Sequence, residues 1–368
     1  MDLITGSTET ISDSQGAVHI HRAELQSKYQ DRTVIHQFDH GTIIAIFDGH
    51  CGDELSQFTA ERLPAGIAHR LTKGVDVGAV LKGTIEQFDE SLLWPIFDLF
   101  EDDDRSDPWL NAEEKLWPLL SSDNSNTEHG DVDVRAIFRR AVVGSTALIA
   151  FLDASRENLW VASLGDSDAV CARRHESGEW TQTFLSERHN CSNPAEVERI
   201  NREHPGEAHA IVDVAVLDAL RVTRSLGDHQ LKAPFSMASR VLQYFPPRHI
   251  LPDNFKKWKP YTPPYISSTP AIRHHAVAPG DLLLFASDGL RDVLPVSDTE
   301  RFPILIALAN GEVDARLGHE CIPVRSDDNV AERVIKNALF GTDADKRNHE
   351  LDHETFRDDI SLVILRFE

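Results

Sequence analysis

Cysteine is scarce in this chain of 368 residues: Cys51, Cys171, Cys191 and Cys321 form no CxxC pair. Four cysteines so dispersed are too few for a disulfide scaffold and point to a reducing compartment. Long apolar runs are missing as well. None approaches the roughly 18 residues needed to span a bilayer, and the N-terminus has no basic segment leading into an apolar core. Both absences predict a soluble chain. Basic residues are outnumbered, with 37 Lys and Arg against 60 Asp and Glu and a formal charge of -23. That balance argues against a nucleic-acid backbone or an anionic membrane as partner and favours metal cations and basic protein surfaces. Because the charge is spread along the chain, a solvated acidic exterior explains most of it. The first fifteen residues carry Asp2, Glu9 and Asp13 and no Arg or Lys, the opposite of a mitochondrial transit peptide. An intact chain is therefore expected in the cytoplasm or nucleus, and in mitochondria only if a presequence was removed.

Against these absences stands a 41% hydrophobic content, enough for a large core in one big domain or two small ones. The organising stretch is TIIAIFDGHCG, Thr42 to Gly52. Ile43 to Phe47 is an unbroken apolar run that reads as a buried strand. Asp48 follows at its mouth, then Gly49, which lets a backbone carbonyl approach a ligand, then His50. An isolated Asp-Gly-His would be an ordinary turn, but the arrangement recurs. Leu282 to Ala286 runs into Ser287 and Asp288, with Asp292 beyond; SLGDS places Asp166 after another apolar run; Asp358 and Asp359 precede the last strand, Ile360 to Phe367. Strand-edge aspartates so far apart in sequence suggest one cluster in space, and with no cysteine or clustered histidine beside them they suit hard Mg²⁺ or Mn²⁺ rather than zinc.

Taken in order, residues 1–15 read as a loose N-terminal segment and Ala17 to Phe38 as one or two strands. A helix begins at Asp53, with Pro64 ending or bending it, and a second is expected from Val77 to Leu93. Residues 94–133, with the acid run Glu101 to Asp104 and the polar stretch Ser121 to Asp131, read as an acidic surface insertion, followed by a helix over Val132 to Val143. Gly144 to Leu185 is a series of short strands joined by tight turns, hence antiparallel. Asn193 and Pro194 start a helix that runs through Glu203. Strand and helix alternate without a βαβ rhythm, so an α+β fold is expected, with helices on antiparallel sheets. The proline pairs 246–247 and 263–264 mark a flap-like excursion over about 229–265.

FDGHCG, GSTA, GDSDAV, VTRSLGD, ASDGLRDVL and RDDISLVIL occur here in the order and approximate spacing of the type 2C metal-dependent protein phosphatases, the PPM superfamily, and the chain resembles that family from about Tyr29 to Phe367. HNCSNPAEVERINREHPG and YTPPYISSTPAI are similar to the pyruvate dehydrogenase phosphatase branch. The resemblance implies a single catalytic domain, residues 16–368, in which two antiparallel sheets form a sandwich flanked by helices on both sides. It implies two Mg²⁺ or Mn²⁺ ions, with Asp48 bridging both, Gly49 offering its carbonyl, and Asp288 and Asp358 completing one of them. Asp166, Asp288 and Asp292 match a third, weaker metal position, and His50 matches a general acid. The implied activity is hydrolysis of phosphoserine and phosphothreonine in proteins by in-line attack of a metal-bridging water or hydroxide, without a phosphoenzyme. A monomer acting on a phosphorylated protein is the expectation.

The chain also departs from the family. YQDR puts Gln30 and Asp31 where members present a Glu-Asp pair whose glutamate serves one metal directly or through water, so Gln30 has lost that charge. Asp31 matches the second acid and is expected among the metal-binding residues, with Glu24 as its competitor on a shifted register. The upstream phosphate-binding arginine is not evident, leaving Arg22 or Arg32 to substitute. Asp359 replaces a usual asparagine and is expected to add negative charge beside the metals. Arg224 and Asp228 in VTRSLGD fit turn stabilisation as well as substrate contact, and Asp53 fits a helix-dipole role. These departures motivate a second reading, a catalytically weak phosphatase-like domain that regulates a binding partner. Hydrolysis of a small phosphorylated metabolite is a third.

Overall fold

The structure is a computed structural model that describes residues 4–13, 16–100, 109, 112–121, 133–245, 260–294, 296–325, 328–351 and 357–367. Its frame is two antiparallel sheets. The first has six strands, in the order β1 (Ile4–Asp13), β2 (Gly16–Leu25), β15 (Ile360–Phe367), β14 (Leu282–Ala286), β8 (Asp168–Arg174) and β9 (Trp180–Phe184). The second has seven. Its path runs β12 (Leu226–Gly227), β5 (Gly144–Ser145), β4 (Gly41–His50), β6 (Ala147–Asp153), β7 (Asn158–Leu164) and β13 (Ala271–Ala276), and β3 (Asp31–Phe38) pairs with β4 off that path. Apart from both sheets, β10 (Ile211–Val212) pairs with β11 (Ala215–Val216).

The continuous apolar runs have a direct explanation in this arrangement. A strand between two layers is buried on both faces, so alternation disappears. Ile44 and Ile46 of β4 point into the cluster between the sheets, with Leu283 and Phe285 of β14 and Val363 and Leu365 of β15. Ile43, Ala45 and Phe47 point the other way, against α1 (Glu54–Arg70) and α2 (Val77–Ser91) through Leu55, Leu63, Leu81 and Ile85. The six-stranded sheet is covered likewise by helices Asp298–Ala309 and Val330–Leu339, through Phe302, Leu305, Val334 and Ile335. The expected α+β sandwich with helices on both outer faces is what forms.

Three expectations are corrected. The segment expected to be loose contributes β1, which pairs with β2 over its whole length, Ile4 opposite Leu25 to Asp13 opposite Gly16. Backbone pairing at a sheet edge needs no apolar alternation, which is why a polar strand escaped notice. Pro64 does not end α1, which continues to Arg70; Leu63 and Ile67, buried on either side of it, hold the helix against the sheet. The insertion is more than a surface loop. Its described parts include α3 (Trp94–Asp98) and α4 (Ala112–Ser121), and Ile96, Phe100, Trp109 and Leu116 pack with Ile137 and Phe138 of α5 (Val134–Val142). The Glu101 to Asp104 run, most of the Ser121 to Asp131 stretch and the Pro246–Pro247 pair lie outside the described residues.

Candidate metal centre

The C-terminal end of β4 is the meeting point. Asp31 of β3 lies directly opposite Asp48 in the ladder. Thr146 donates its backbone N–H to the Asp48 carbonyl at 2.8 Å, and Gly49 donates its own to the Gln30 carbonyl at 3.2 Å. In this register Asp31 stands beside Asp48, whereas the Glu24 carboxylate is taken by the Thr33 hydroxyl and the Gln26 amide. From the facing sheet, β14 ends at Ala286 and delivers Asp288 to the N-terminus of the short helix Gly289–Val293, which also carries Asp292. Asp358 arrives on the segment that precedes β15. Asp166 sits on the turn between β7 and β8.

One cavity of about 660 Å³ is lined by Asp48, Gly49, His50, Asp166, Asp288, Asp292 and Asp358, together with Lys28, Gln30 and Arg291. All the expected site residues except Asp31 line it, and Asp31 stands behind Asp48, buried. A larger cavity of about 770 Å³ lies around Glu86, Asp89, Arg199 and Lys232, but Asp89 there is paired with Lys232 at 2.9 Å and Arg199 with Glu196 at 3.0 Å. The smaller cavity is the one that concentrates carboxylates in excess of their counter-charges.

That excess is visible in the acids themselves. Burial, reinforced by the charges of Asp31, Asp288 and Asp166, holds the Asp48 carboxyl well above the usual carboxylate range. Burial, with Asp166 and Asp358 next, pushes Asp288 up to about 7. Burial also raises Asp31 to about 8, with the charge of Asp359 adding to it. Carboxylates crowded together out of water resist sharing their negative charge unless a cation joins them. Asp31 Oδ2 is moreover buried with no hydrogen-bond partner among the described residues. An oxygen-only donor set of this kind, with an orphaned carboxylate oxygen, fits hard divalent cations.

The surrounding bonds orient this set. Asn190 Nδ2 donates to Asp166 Oδ2 at 2.9 Å, and Arg291 Nη2 donates to the Asp166 carbonyl at 2.5 Å. His50 Nε2 meets Asp228 Oδ2 at 2.9 Å. Asp228 is fully buried, in the left-handed region at φ 51°, and accepts the Ser225 hydroxyl at 2.5 Å. Burial works against a charged imidazole, but the charge and hydrogen bond of Asp228 outweigh it, so the His50 pKa lies above the ordinary histidine value. Gly144 makes the pair possible: a Cβ there would collide with His50 Nε2 and Asp228 Oδ2. Asp228, which the sequence left between turn stabilisation and substrate contact, is thus the residue that holds the His50 ring. Its signal was the VTRSLGD motif, but its partner stands 178 positions away.

The remaining charged residues have specific partners. The Asp359 carboxylate accepts the backbone N–H groups of residues 27 to 31, at 2.5 to 3.3 Å, while its charge still reaches Asp31. Arg224 stabilises Glu196, at 2.6 Å, and does not line this cavity. Asp53 stands at the N-cap of α1, where its charge faces the helix dipole, and pairs with Arg32 at 2.8 Å without a side-chain cap bond.

The family model described as Protein phosphatase 2C matches residues 6–330. Among curated proteins, mitochondrial pyruvate dehydrogenase [acetyl-transferring]-phosphatase 1 of Bos taurus is 28% identical over 398 residues, covering 89% of this chain and 72% of that protein. The corresponding phosphatase 2 of Homo sapiens is 34% identical over a shorter 170 residues, 45% of this chain and 31% of that one. Among solved structures, the serine-threonine phosphatase 2C from Toxoplasma gondii aligns over 99% of both chains with a TM-score of 0.55 at 15% identity. A C. elegans sex determining protein aligns over 98% of this chain and 64% of its own with a TM-score of 0.54 at 19% identity. These structural likenesses bear on the fold.

Proposed function

The chain belongs to the protein phosphatase 2C family and is a metal-dependent protein serine/threonine phosphatase, and from that premise we propose that Asp48, Gly49, Asp288 and Asp358 hold two Mg²⁺ or Mn²⁺ ions. Asp31 supports this pair from behind, and Asp166 and Asp292, with Asp288, form a third, weaker position. The observation that carries the proposal is the convergence of these carboxylates on one cavity with Asp31 Oδ2 left unpartnered. Bound ions of this class lower the pKa of a coordinated water and neutralise charge on phosphoryl oxygens. The protein's own contribution is orientation. Asp228 fixes the His50 ring and favours its charged form, so that His50 is placed to protonate the departing serine or threonine oxygen. Asn190 and Arg291 hold Asp166 in position.

Convergence of Asp48, Asp166, Asp288, Asp292 and Asp358 on one cavity favours an active enzyme over the regulatory, catalytically weak alternative. Gln30, for its part, lines the cavity but also serves through its backbone, whose carbonyl takes Gly49 N–H and the Ser56 hydroxyl; the substitution therefore leaves that local scaffold intact. The relatives named as pyruvate dehydrogenase phosphatases support phosphorylated pyruvate dehydrogenase as the substrate protein, and their mitochondrial designation supports action in that compartment. No helix among the described residues is long and apolar enough to cross a membrane. The deciding experiment is hydrolysis of a phosphothreonine peptide by the purified chain, titrated with Mn²⁺ and Mg²⁺ and repeated with chelator. Turnover that chelation abolishes is expected; folded protein that never turns over would transfer the assignment to the regulatory role.

A further inference from the structure

Phosphoryl transfer to water needs a cation that meets the substrate's phosphate, and the two arginines the sequence offers are committed elsewhere. Arg32 donates to Asp53, to Gln57 and to the carbonyls of Tyr29 and Asp31, and Arg22 donates to the Thr33 carbonyl at 3.4 Å. Neither lines the acidic cavity. Within its wall stand two further arginines. Arg291 is engaged by Asp166 and by Asp168 at 3.3 Å, and Arg221, whose backbone carbonyl accepts the Cys191 N–H, is an exposed residue of the segment 219–222.

Lys28 is placed differently. Its ammonium lies 3.0 Å from Asp358 Oδ1, its side chain is 31% exposed, and it lines the same cavity as Asp48 and His50. Its backbone N–H donates to Asp359 Oδ1 at 2.6 Å, so the root of the side chain is fixed while a flexible four-carbon stem carries the charge. Gln30, two residues on, faces the same cavity and is neutral; an acid there would compete for the ammonium.

We infer that Lys28 is the phosphoryl-binding cation of this chain, contacting a phosphate oxygen of the substrate in place of an arginine. The inference rests on the phosphatase reading above. Once Asp358 serves a divalent ion, its negative charge is shared, and the ammonium's attraction to that carboxylate falls. The anion that then enters the cavity is the phosphoryl group, and a compact point charge on a mobile stem suits it, without the bidentate fork of an arginine.

The test compares wild type, Lys28→Ala and Lys28→Arg at saturating Mn²⁺, reading kcat and KM on a phosphothreonine peptide, inhibition by inorganic phosphate, and Mn²⁺ affinity by calorimetry. Loss of one charged hydrogen bond should raise KM and the phosphate inhibition constant about tenfold or more in Lys28→Ala, with Mn²⁺ affinity unchanged or tighter and Lys28→Arg recovering most of the loss. Unchanged KM and phosphate inhibition in an active Lys28→Ala protein would overturn the inference, and so would a loss that merely tracks weaker Mn²⁺ binding. Absence of turnover in wild type is a failure of the phosphatase reading instead; phosphate binding to the Mn²⁺-loaded proteins, measured by calorimetry, then still decides whether Lys28 receives the anion.

Discussion

Asp359 Oδ2 accepts the backbone N–H of Gln30 at 2.6 Å, although the two residues stand 329 positions apart. The same carboxylate serves the N–H groups of Ser27, Lys28, Tyr29 and Asp31. One buried charge therefore holds the turn that carries both Lys28 and Asp31. Replacing Asp359 with Ala strands these donors and should cost roughly 3 kcal/mol of stability, with Mn²⁺ affinity falling as the turn loosens; Asp359→Asn, retaining one acceptor, should lose less. Urea denaturation and Mn²⁺ calorimetry measure both effects. A midpoint unchanged in Asp359→Ala would show that the turn is held by something else.

Asp288→Asn removes one charge from the crowded acids and should abolish metal-dependent turnover while leaving the fold intact. Because the carboxyl is pushed up to about 7 by burial and its acidic neighbours, the amide relieves repulsion. The metal-free variant should therefore melt no lower than wild type in chelator, and Mn²⁺ should no longer raise its melting temperature as it does in wild type. A folded Asp288→Asn protein with normal activity would eliminate the proposed centre.

Asp228→Asn and Gly144→Ala attack the His50 orientation from two sides, one by weakening its hydrogen bond and the other by collision. Each should lower kcat by about 100-fold, the lower end of what general acid catalysis contributes, without changing Mn²⁺ affinity. Steady-state kinetics beside Mn²⁺ calorimetry separates this from a general loss of the site; equal damage to metal binding would mean that the pair is structural.

The contribution of His21 and His189 to stability should fall as pH drops from about 6.5 towards 4, while the raised Asp31 and Asp288 work the other way in the metal-free protein. Burial, helped by Arg366, lowers His21 to about 4, and burial, helped by Arg224, lowers His189 to about 4. Neither ring nitrogen of His189 has a hydrogen-bond partner among the described residues. Below pH 6.5 the unfolded chain takes up protons that the folded chain refuses, so the stabilising contribution present at neutral pH is lost progressively, roughly 2 kcal/mol per histidine by pH 5. Denaturation midpoints at pH 7.5 and 5 in wild type and in the His21→Gln/His189→Gln variant test this; an equal acid-induced loss in both would assign it to other groups.

The parts of the fold that were legible are those where burial leaves a mark on composition. Ile43 to Phe47 and Leu282 to Ala286 pack on both faces, and the acids at their ends follow from that position. What escaped has no local signature. β1 is joined to its sheet by backbone bonds along a polar sequence. The placing of Asp359 depends on contacts with residues more than 300 positions away, so its sequence could reveal a charge but not the direction in which the charge points. Asp228 similarly acquires its histidine only when β12 pairs with β5 at Gly144.

Phe138 of α5 stacks face to face on Phe245, with ring centroids 3.9 Å apart, inside the cluster that also holds Ile96, Trp109 and Leu116 from the insertion. The insertion, α5 and residues 233–245 consequently share one hydrophobic core. A chimaera that grafts either from a relative without the other will pair mismatched halves of a hydrophobic core, so loop swaps aimed at altering substrate choice need to carry residues 94–142 and 233–245 together.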